Sequence, residues 1–95
     1  MINMNTTFWQ DFTIADRFGA DAVKDTYRRA FAEWKSDYRY LTELVMILNW
    51  KIWDHYKKNN KELASLYNEL WIKADNYALD NLKDDELTYF LTITD

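Results

Sequence analysis

The sequence predicts an all-α protein, folded as a single compact bundle of four to five helices. Two observations favour helices over strands: the 95 residues include no proline and only one glycine, and apolar residues recur at spacings of three and four. A third observation, an aromatic content of 18%, allows a chain of this length to bury a core without disulfides or a metal. We therefore expect one domain over residues 1–95, with residues 1–6 poorly ordered.

The single glycine is predicted to separate the first two helices. The first helix is expected to begin after an N-capping threonine, to end near Phe18, and to be followed by Gly19 in the left-handed conformation that glycine adopts at low cost. The candidate caps are Thr6 and Thr7, and the predicted buried residues are Phe8, Phe12 and Ala15.

Asp21 is predicted to cap the second helix, which carries an apolar face and a basic stripe beside it. The apolar residues are Val23, Tyr27, Ala30, Phe31, Trp34 and Tyr38. The basic stripe consists of Lys24, Arg28, Lys35 and Arg39. These basic side chains either lie along the edge of the core with their charges in water, or bind an anionic partner such as a phosphate backbone, a nucleotide or an acidic protein surface.

The third helix, about residues 38–58 after a break at Ser36 and Asp37, is predicted to be central because it is apolar on two sides. Its main face is Leu41, Leu44, Val45, Leu48, Ile52 and Tyr56. A second strip on the other side is Met46, Trp50 and Trp53. This strip either belongs to the core or forms an assembly surface, since Trp and Met are enriched at the centres of interfaces. We assign it to an interface.

Asn59 and Asn60 mark the end of the third helix and precede a fourth, from about Lys61 to Asn81. Its apolar stripe is Leu63, Leu66, Tyr67, Leu70, Ala74, Tyr77 and Ala78. Asp84 is predicted to cap a short fifth helix that buries Leu87, Phe90 and Leu91.

Composition excludes several classes of function. The chain has no cysteine and one histidine, which rules out thiolate chemistry, zinc fingers and multi-histidine metal centres. His55 is predicted to be a packed histidine with one hydrogen-bond partner. We expect no enzymatic activity, no cofactor and no metal. The absence of a signal peptide or a membrane-length apolar run favours the cytoplasm.

Charge is unevenly distributed. Residues 1–61 carry ten Lys or Arg against eight Asp or Glu, whereas residues 62–95 carry two against eight, for a net charge of −4. The last third is acidic, and the whole chain lacks the positive charge typical of a nucleic-acid-binding protein.

Most of the chain resembles small uncharacterised accessory proteins carried by bacterial mobile elements, either conjugative elements or prophages. The stretches that carry the resemblance are FWQDFTIADRFGADAVKDTYRRAF, EWKSDYRYLTELV and ELASLYNELWIKADNYALDNL. The resemblance rests on general similarity and not on a motif of known chemistry, so it implies no site residues. It implies a binding role, in regulating the genes of the element or in blocking a host defence protein.

Together these observations predict a non-enzymatic protein-binding or regulatory protein that forms a homodimer and acts on a host or element protein. Two alternatives stay open: a nucleic-acid-associated regulator that uses the basic stripe, and a helical protein that binds a small ligand or nucleotide in a pocket between helices. A steep fall in affinity with salt would favour the first alternative, and thermal stabilisation by a nucleotide would favour the second.

Overall fold

The computed structural model describes residues 7–94, and they fold as five helices without a strand in this range. The helices are α1 (Phe8–Asp16), α2 (Ala20–Trp34), α3 (Tyr38–Lys57), α4 (Lys61–Asn81) and α5 (Asp84–Thr94). The predicted all-α bundle is therefore confirmed. The expectation that residues 1–6 are poorly ordered lies outside the described residues.

Helix α3 lies at the centre of the bundle, as its two apolar sides predict. It packs most extensively against α4, and it also contacts α1, α2 and α5. Its residues Leu41, Leu44, Val45, Ile47 and Leu48 are buried. Because every other helix contacts it, α3 supplies residues to each surface feature described below, including Tyr40 to a cavity between α1 and α2.

The predicted apolar faces supply the core, but the predicted Tyr56 and Leu91 are exposed, and of the predicted α2 face only Val23 is fully buried. Phe8, Phe12 and Ala15 of α1 are buried as predicted, and so is the stripe of α4 apart from a half-buried Tyr77. Tyr56, predicted to lie on the buried face of α3, is 53% exposed. Four polar residues of the same helix are buried: Thr42, Glu43, Lys51 and His55.

The connections between helices differ from the prediction around the glycine. Helix α1 ends at Asp16, and Gly19 (φ 103°, ψ −171°) is the N-cap of α2, so Asp21 lies in the first turn of α2 and does not cap it. A positive φ of this kind suits glycine because a Cβ strains it. The predicted positive φ at Gly19 is therefore confirmed. The predicted role is wrong, because Gly19 caps the start of α2 and was expected to end the first helix.

Two of the other helix caps follow side-chain chemistry, whereas Thr7, the N-cap of α1, makes no side-chain capping hydrogen bond. Asp37 caps α3 by accepting hydrogen bonds from the backbone N–H groups of Arg39 and Tyr40, and Asn60 caps α4 by accepting one from Leu63. Asn59 adopts a φ of 58° between these helices, which asparagine tolerates. Asp84 is the first residue of α5 and not its cap, with a φ of 54°.

None of the helices in the described range is long and apolar enough to cross a membrane.

Candidate functional site

Three tryptophans from two helices lie together on the surface, and we call Trp9, Trp50 and Trp53 the tryptophan face. Trp9 of α1 is 39% exposed, and Trp50 and Trp53 of α3 are 43% and 58% exposed. Met46, predicted to accompany the α3 tryptophans, is half-buried. The alternative in which the second strip of α3 belongs to the core is therefore wrong for its two tryptophans.

The tryptophan face surrounds a shallow cavity of about 420 Å³, whose remaining walls come from Asp54 and Lys57. The ring of Trp53 also lies 5.8 Å from that of Tyr56. Asp54 accepts a hydrogen bond from Nζ of Lys58 at 3.0 Å, and this contact lowers the pKa of Asp54. Lys57 has no carboxylate within 4.0 Å among residues 7–94. The face thus has an apolar centre and charges of both signs at its edge.

A second cavity, of about 500 Å³, lies where α3, α4 and α5 meet, and we call it the α3–α5 groove. Its apolar walls include Met46, Trp50, Trp71, Leu79 and Leu91. Trp50, Leu79 and Leu91 are exposed. Since Trp50 lines both cavities, the groove is continuous with the tryptophan face.

One carboxylate lies in the α3–α5 groove. Asp75 of α4 is half-buried and lines the cavity. In the part of the chain that the structure describes, no side chain hydrogen-bonds or ion-pairs with it. Burial raises the pKa of Asp75, because a desolvated carboxylate is less stable in its charged form.

The four residues of the predicted basic stripe are exposed, and three of them contact near neighbours in sequence. Arg28 pairs with Asp25, Nε of Arg39 donates to the hydroxyl of Tyr38 at 3.2 Å, and Nζ of Lys35 lies 6.0 Å from the ring centre of Phe31. No ion pair joins the stripe to the acidic α4 or α5 within residues 7–94. Binding of an anionic partner by Lys24, Arg28, Lys35 and Arg39 stays a prediction.

The polar cluster that sequence reasoning missed lies beneath the surface and is centred on Asp16 at the end of α1. Oδ2 of Asp16 accepts from Nζ of Lys51 at 3.0 Å and from Nε2 of His55 at 2.9 Å, and Oδ1 accepts from the hydroxyl of Tyr67 at 2.5 Å. Nζ of Lys51 also donates to Oγ1 of Thr13 at 2.8 Å. We call these five residues the Asp16 cluster.

The Asp16 cluster joins α1, α3 and α4, and most polar atoms of its side chains are hydrogen-bonded within the cluster. The ammonium of Lys51 lies 4.2 Å from the ring centre of Trp9, a cation–π contact, and the ring of His55 stacks on that of Tyr67 with centres 5.4 Å apart. Burial and the hydrogen bond to Asp16 raise the pKa of Tyr67. His55 is thus a packed histidine with one hydrogen-bond partner, as predicted. Its Nδ1 has no partner among the described residues.

Asp16 accepts three hydrogen bonds, and the side chain of Lys51 is only 2% exposed. Thr13, Asp16, Lys51 and His55 also line a cavity of about 530 Å³ beside the cluster. An ionised carboxylate at a helix C-terminus is unfavourable next to the helix dipole, and Lys51 and His55 offset that cost. The cluster therefore fastens α1 to α3 and α4. No group of three or more His, Cys, Asp or Glu side chains within the described part of the chain could hold a metal ion.

The sequence carries a signal for the cluster. Lys51 follows Leu44 by seven residues and Leu48 by three, so it falls on the buried face of α3. A charge at such a position requires a buried partner, and the partner is Asp16.

Comparison with known proteins gives no relative: no family model, curated protein or solved structure matches the chain. The function is therefore argued from the surfaces described above.

Proposed function

We propose that this chain is a non-enzymatic protein-binding protein that forms a homodimer through the tryptophan face. The observation that carries the proposal is the convergence of three exposed tryptophans, from α1 and α3, on one shallow cavity. Single exposed apolar residues are common on proteins, but a contiguous apolar patch is typical of an interaction site. Tryptophan is also the residue type most enriched among those that dominate binding energy.

A second copy of the chain suits the edge of this face. A two-fold interface brings the same patch of both copies together, so a self-complementary patch needs charges of both signs. Asp54 and Lys57 supply one of each beside the tryptophans. Lys57, which has no carboxylate nearby in the described range, can then pair with Asp54 of the other copy.

The first test is the solution mass, measured by light scattering at several protein concentrations and at low and high salt. Wild type is compared with the Trp50→Ala/Trp53→Ala variant. We expect wild type to be a dimer that resists salt, because the centre of the face is apolar. Loss of each central tryptophan costs about 2 kcal/mol or more of binding energy, so the double variant should weaken the dimer by about a thousandfold. Its helix content, measured by circular dichroism, should not change.

The matched control is Phe18→Ala. Phe18 is 78% exposed and lines a separate cavity between α1 and α2, so its loss should leave the dimer intact. A wild-type protein that is monomeric at every concentration would contradict the homodimer. A double variant that stays dimeric would move the interface away from the tryptophan face. A cytoplasmic location and a place among mobile-element accessory proteins stay predictions from the sequence.

A further inference from the structure

We propose that the α3–α5 groove binds an amphipathic helix of a partner protein, and that Asp75 pairs there with a lysine or arginine on the apolar face of that helix. This inference deepens the proposed protein-binding function and rests on it, but it concerns the adjoining groove, which shares only Trp50 with the tryptophan face. The tryptophan face joins two copies, whereas the groove selects a partner of stated chemistry: an apolar helix with one central positive charge.

The shape and lining of the groove fit a helix. Three helices form its walls, and Leu79 and Leu91 stand exposed on α4 and α5 with Trp50 on α3 between the groove and the tryptophan face. Peptide helices bind proteins by placing apolar residues at i, i+3, i+4 and i+7 into grooves of this kind. The exposed large side chains along the groove can contact such residues without rearrangement of the bundle.

Asp75 indicates that the partner carries a positive charge. Its carboxylate shares the groove with mostly apolar side chains and with the polar Asn49 and Thr94, and the described residues offer it neither a hydrogen bond nor an ion pair. Burial alone disfavours its ionised form. An incoming lysine or arginine offsets that cost, whereas a purely apolar helix would bury the charge further and leave it unpaired. The site therefore discriminates between helices by the charge at one position.

The net charge of α4 and α5, which both supply groove residues, favours the same partner. Residues 62–95, which include most of α4 and all of α5, carry two basic and eight acidic residues. The basic stripe of this chain does not pair with them in residues 7–94. Their negative charge is thus available to attract a basic segment, and complementary charge increases the rate of association and excludes acidic partners.

The test uses two synthetic peptides, each a helix of sixteen residues made of leucine, alanine and glutamine, capped at both ends and labelled with fluorescein. Leucines occupy one face at i, i+3, i+4 and i+7. One peptide has lysine at the centre of that face, and the other has glutamine at the same position. Binding is measured by fluorescence anisotropy with wild type, Asp75→Asn and Asp80→Asn. Asp80 is an exposed carboxylate of α4 that does not line the groove, so its substitution is the matched control.

We expect wild type to bind the lysine peptide about tenfold more tightly than the glutamine peptide, the range of one charge-assisted contact. Asp75→Asn should abolish that difference, and Asp80→Asn should keep it. Equal binding of both peptides by wild type, or a difference that survives Asp75→Asn, would overturn the role of Asp75. Failure of both peptides to bind would overturn the groove as a helix site.

These outcomes are independent of the homodimer. Trp53 lines the tryptophan face but not the groove, so a Trp53→Ala variant should weaken the dimer and still discriminate between the peptides. Loss of peptide binding in this variant would show that the peptides bind the tryptophan face, and would contradict the groove.

Discussion

Two aspartates in this molecule have opposite surroundings. Asp16 accepts hydrogen bonds from a lysine, a histidine and a tyrosine, whereas Asp75 has no polar partner among residues 7–94. Both belong to helices of the bundle, Asp16 to α1 and Asp75 to α4, and both are partly buried. The comparison separates a carboxylate that holds helices together from one that is left for a molecule outside the chain.

The largest change in the free energy of unfolding should come from removing Asp16, the carboxylate with partners. Asp16→Ala removes the carboxylate that accepts from Lys51, His55 and Tyr67. It leaves the buried ammonium of Lys51 with only Oγ1 of Thr13, and the hydroxyl of Tyr67 with only the backbone carbonyl of Phe12 at 3.4 Å. Breaking a buried ion pair in this way costs about 3–5 kcal/mol, a large share of the stability of a small domain. The free energy of unfolding, measured by urea titration, should fall by at least that amount.

The matched control is Lys58→Ala, which keeps Asp54 at the edge of the tryptophan face. The ion pair of Lys58 with Asp54 has the same length of 3.0 Å as the pair between Asp16 and Lys51, but the Lys58 side chain is 65% exposed. Exposed pairs contribute less than about 1 kcal/mol. Equal losses in the two variants would show that burial of the Asp16 cluster adds nothing to its strength.

A smaller loss is expected when one donor of the cluster is removed. Tyr67→Phe deletes the hydroxyl that Asp16 accepts and keeps the ring that stacks on His55. We expect a loss of about 1–3 kcal/mol in the free energy of unfolding, because a hydrogen bond to a charged group is removed. Tyr77→Phe is the control, since the described residues give the hydroxyl of Tyr77 no hydrogen bond. It should change stability by less than about 0.5 kcal/mol, and a similar loss in both variants would contradict the cluster.

Removing the charge of the unpartnered Asp75 should give the smallest change in the free energy of unfolding, and this change should be an increase. The pKa of Asp75 is raised in the folded protein, so the native state binds its proton more tightly than the unfolded chain does. Stability therefore falls as pH rises from about 4, the ordinary pKa of an aspartate, through the raised pKa of the folded protein. Asp75→Asn should increase the free energy of unfolding at neutral pH, by up to about 1 kcal/mol. Thermal melts at about pH 4 and pH 7 should show this gain at pH 7 only, and a loss of stability at pH 7 would reveal a partner for Asp75 within the fold.

The five helices could be predicted from the sequence because the apolar spacing and the end residues of each are local features. The bounds of α4 match the prediction, since Asn59 and Asn60 are suited to a left-handed residue and an N-cap. The role of Gly19 was predicted wrongly because a positive φ suits both the residue that ends one helix and the residue that precedes the next. The prediction for Tyr56 was wrong because periodicity assigns a residue to a side of the helix but does not show whether that side is covered, and at the end of α3 Tyr56 is exposed.

The surfaces could be predicted only in part. Periodicity identified Trp50 and Trp53 as a separate strip, but it could not decide between core and surface, which depends on where α1, α4 and α5 pack. Trp9 lies beside these two tryptophans only because of where α1 packs, which periodicity does not predict. Lys51 could be found from its place among buried residues, whereas its partner Asp16 is 35 residues away, and no spacing rule connects the two.

The short connection between α3 and α4 has a consequence for the order of folding. Three residues join these helices, and the two pack against each other more extensively than any other pair. Contacts between neighbours in sequence close small loops and form quickly, whereas the hydrogen bonds of Asp16 span 35 to 51 residues. We therefore expect the α3–α4 hairpin to form first and α1 to dock last. The backbone amides of α1 should then exchange with solvent sooner than those of the hairpin, because the last helix to dock is also the first to detach.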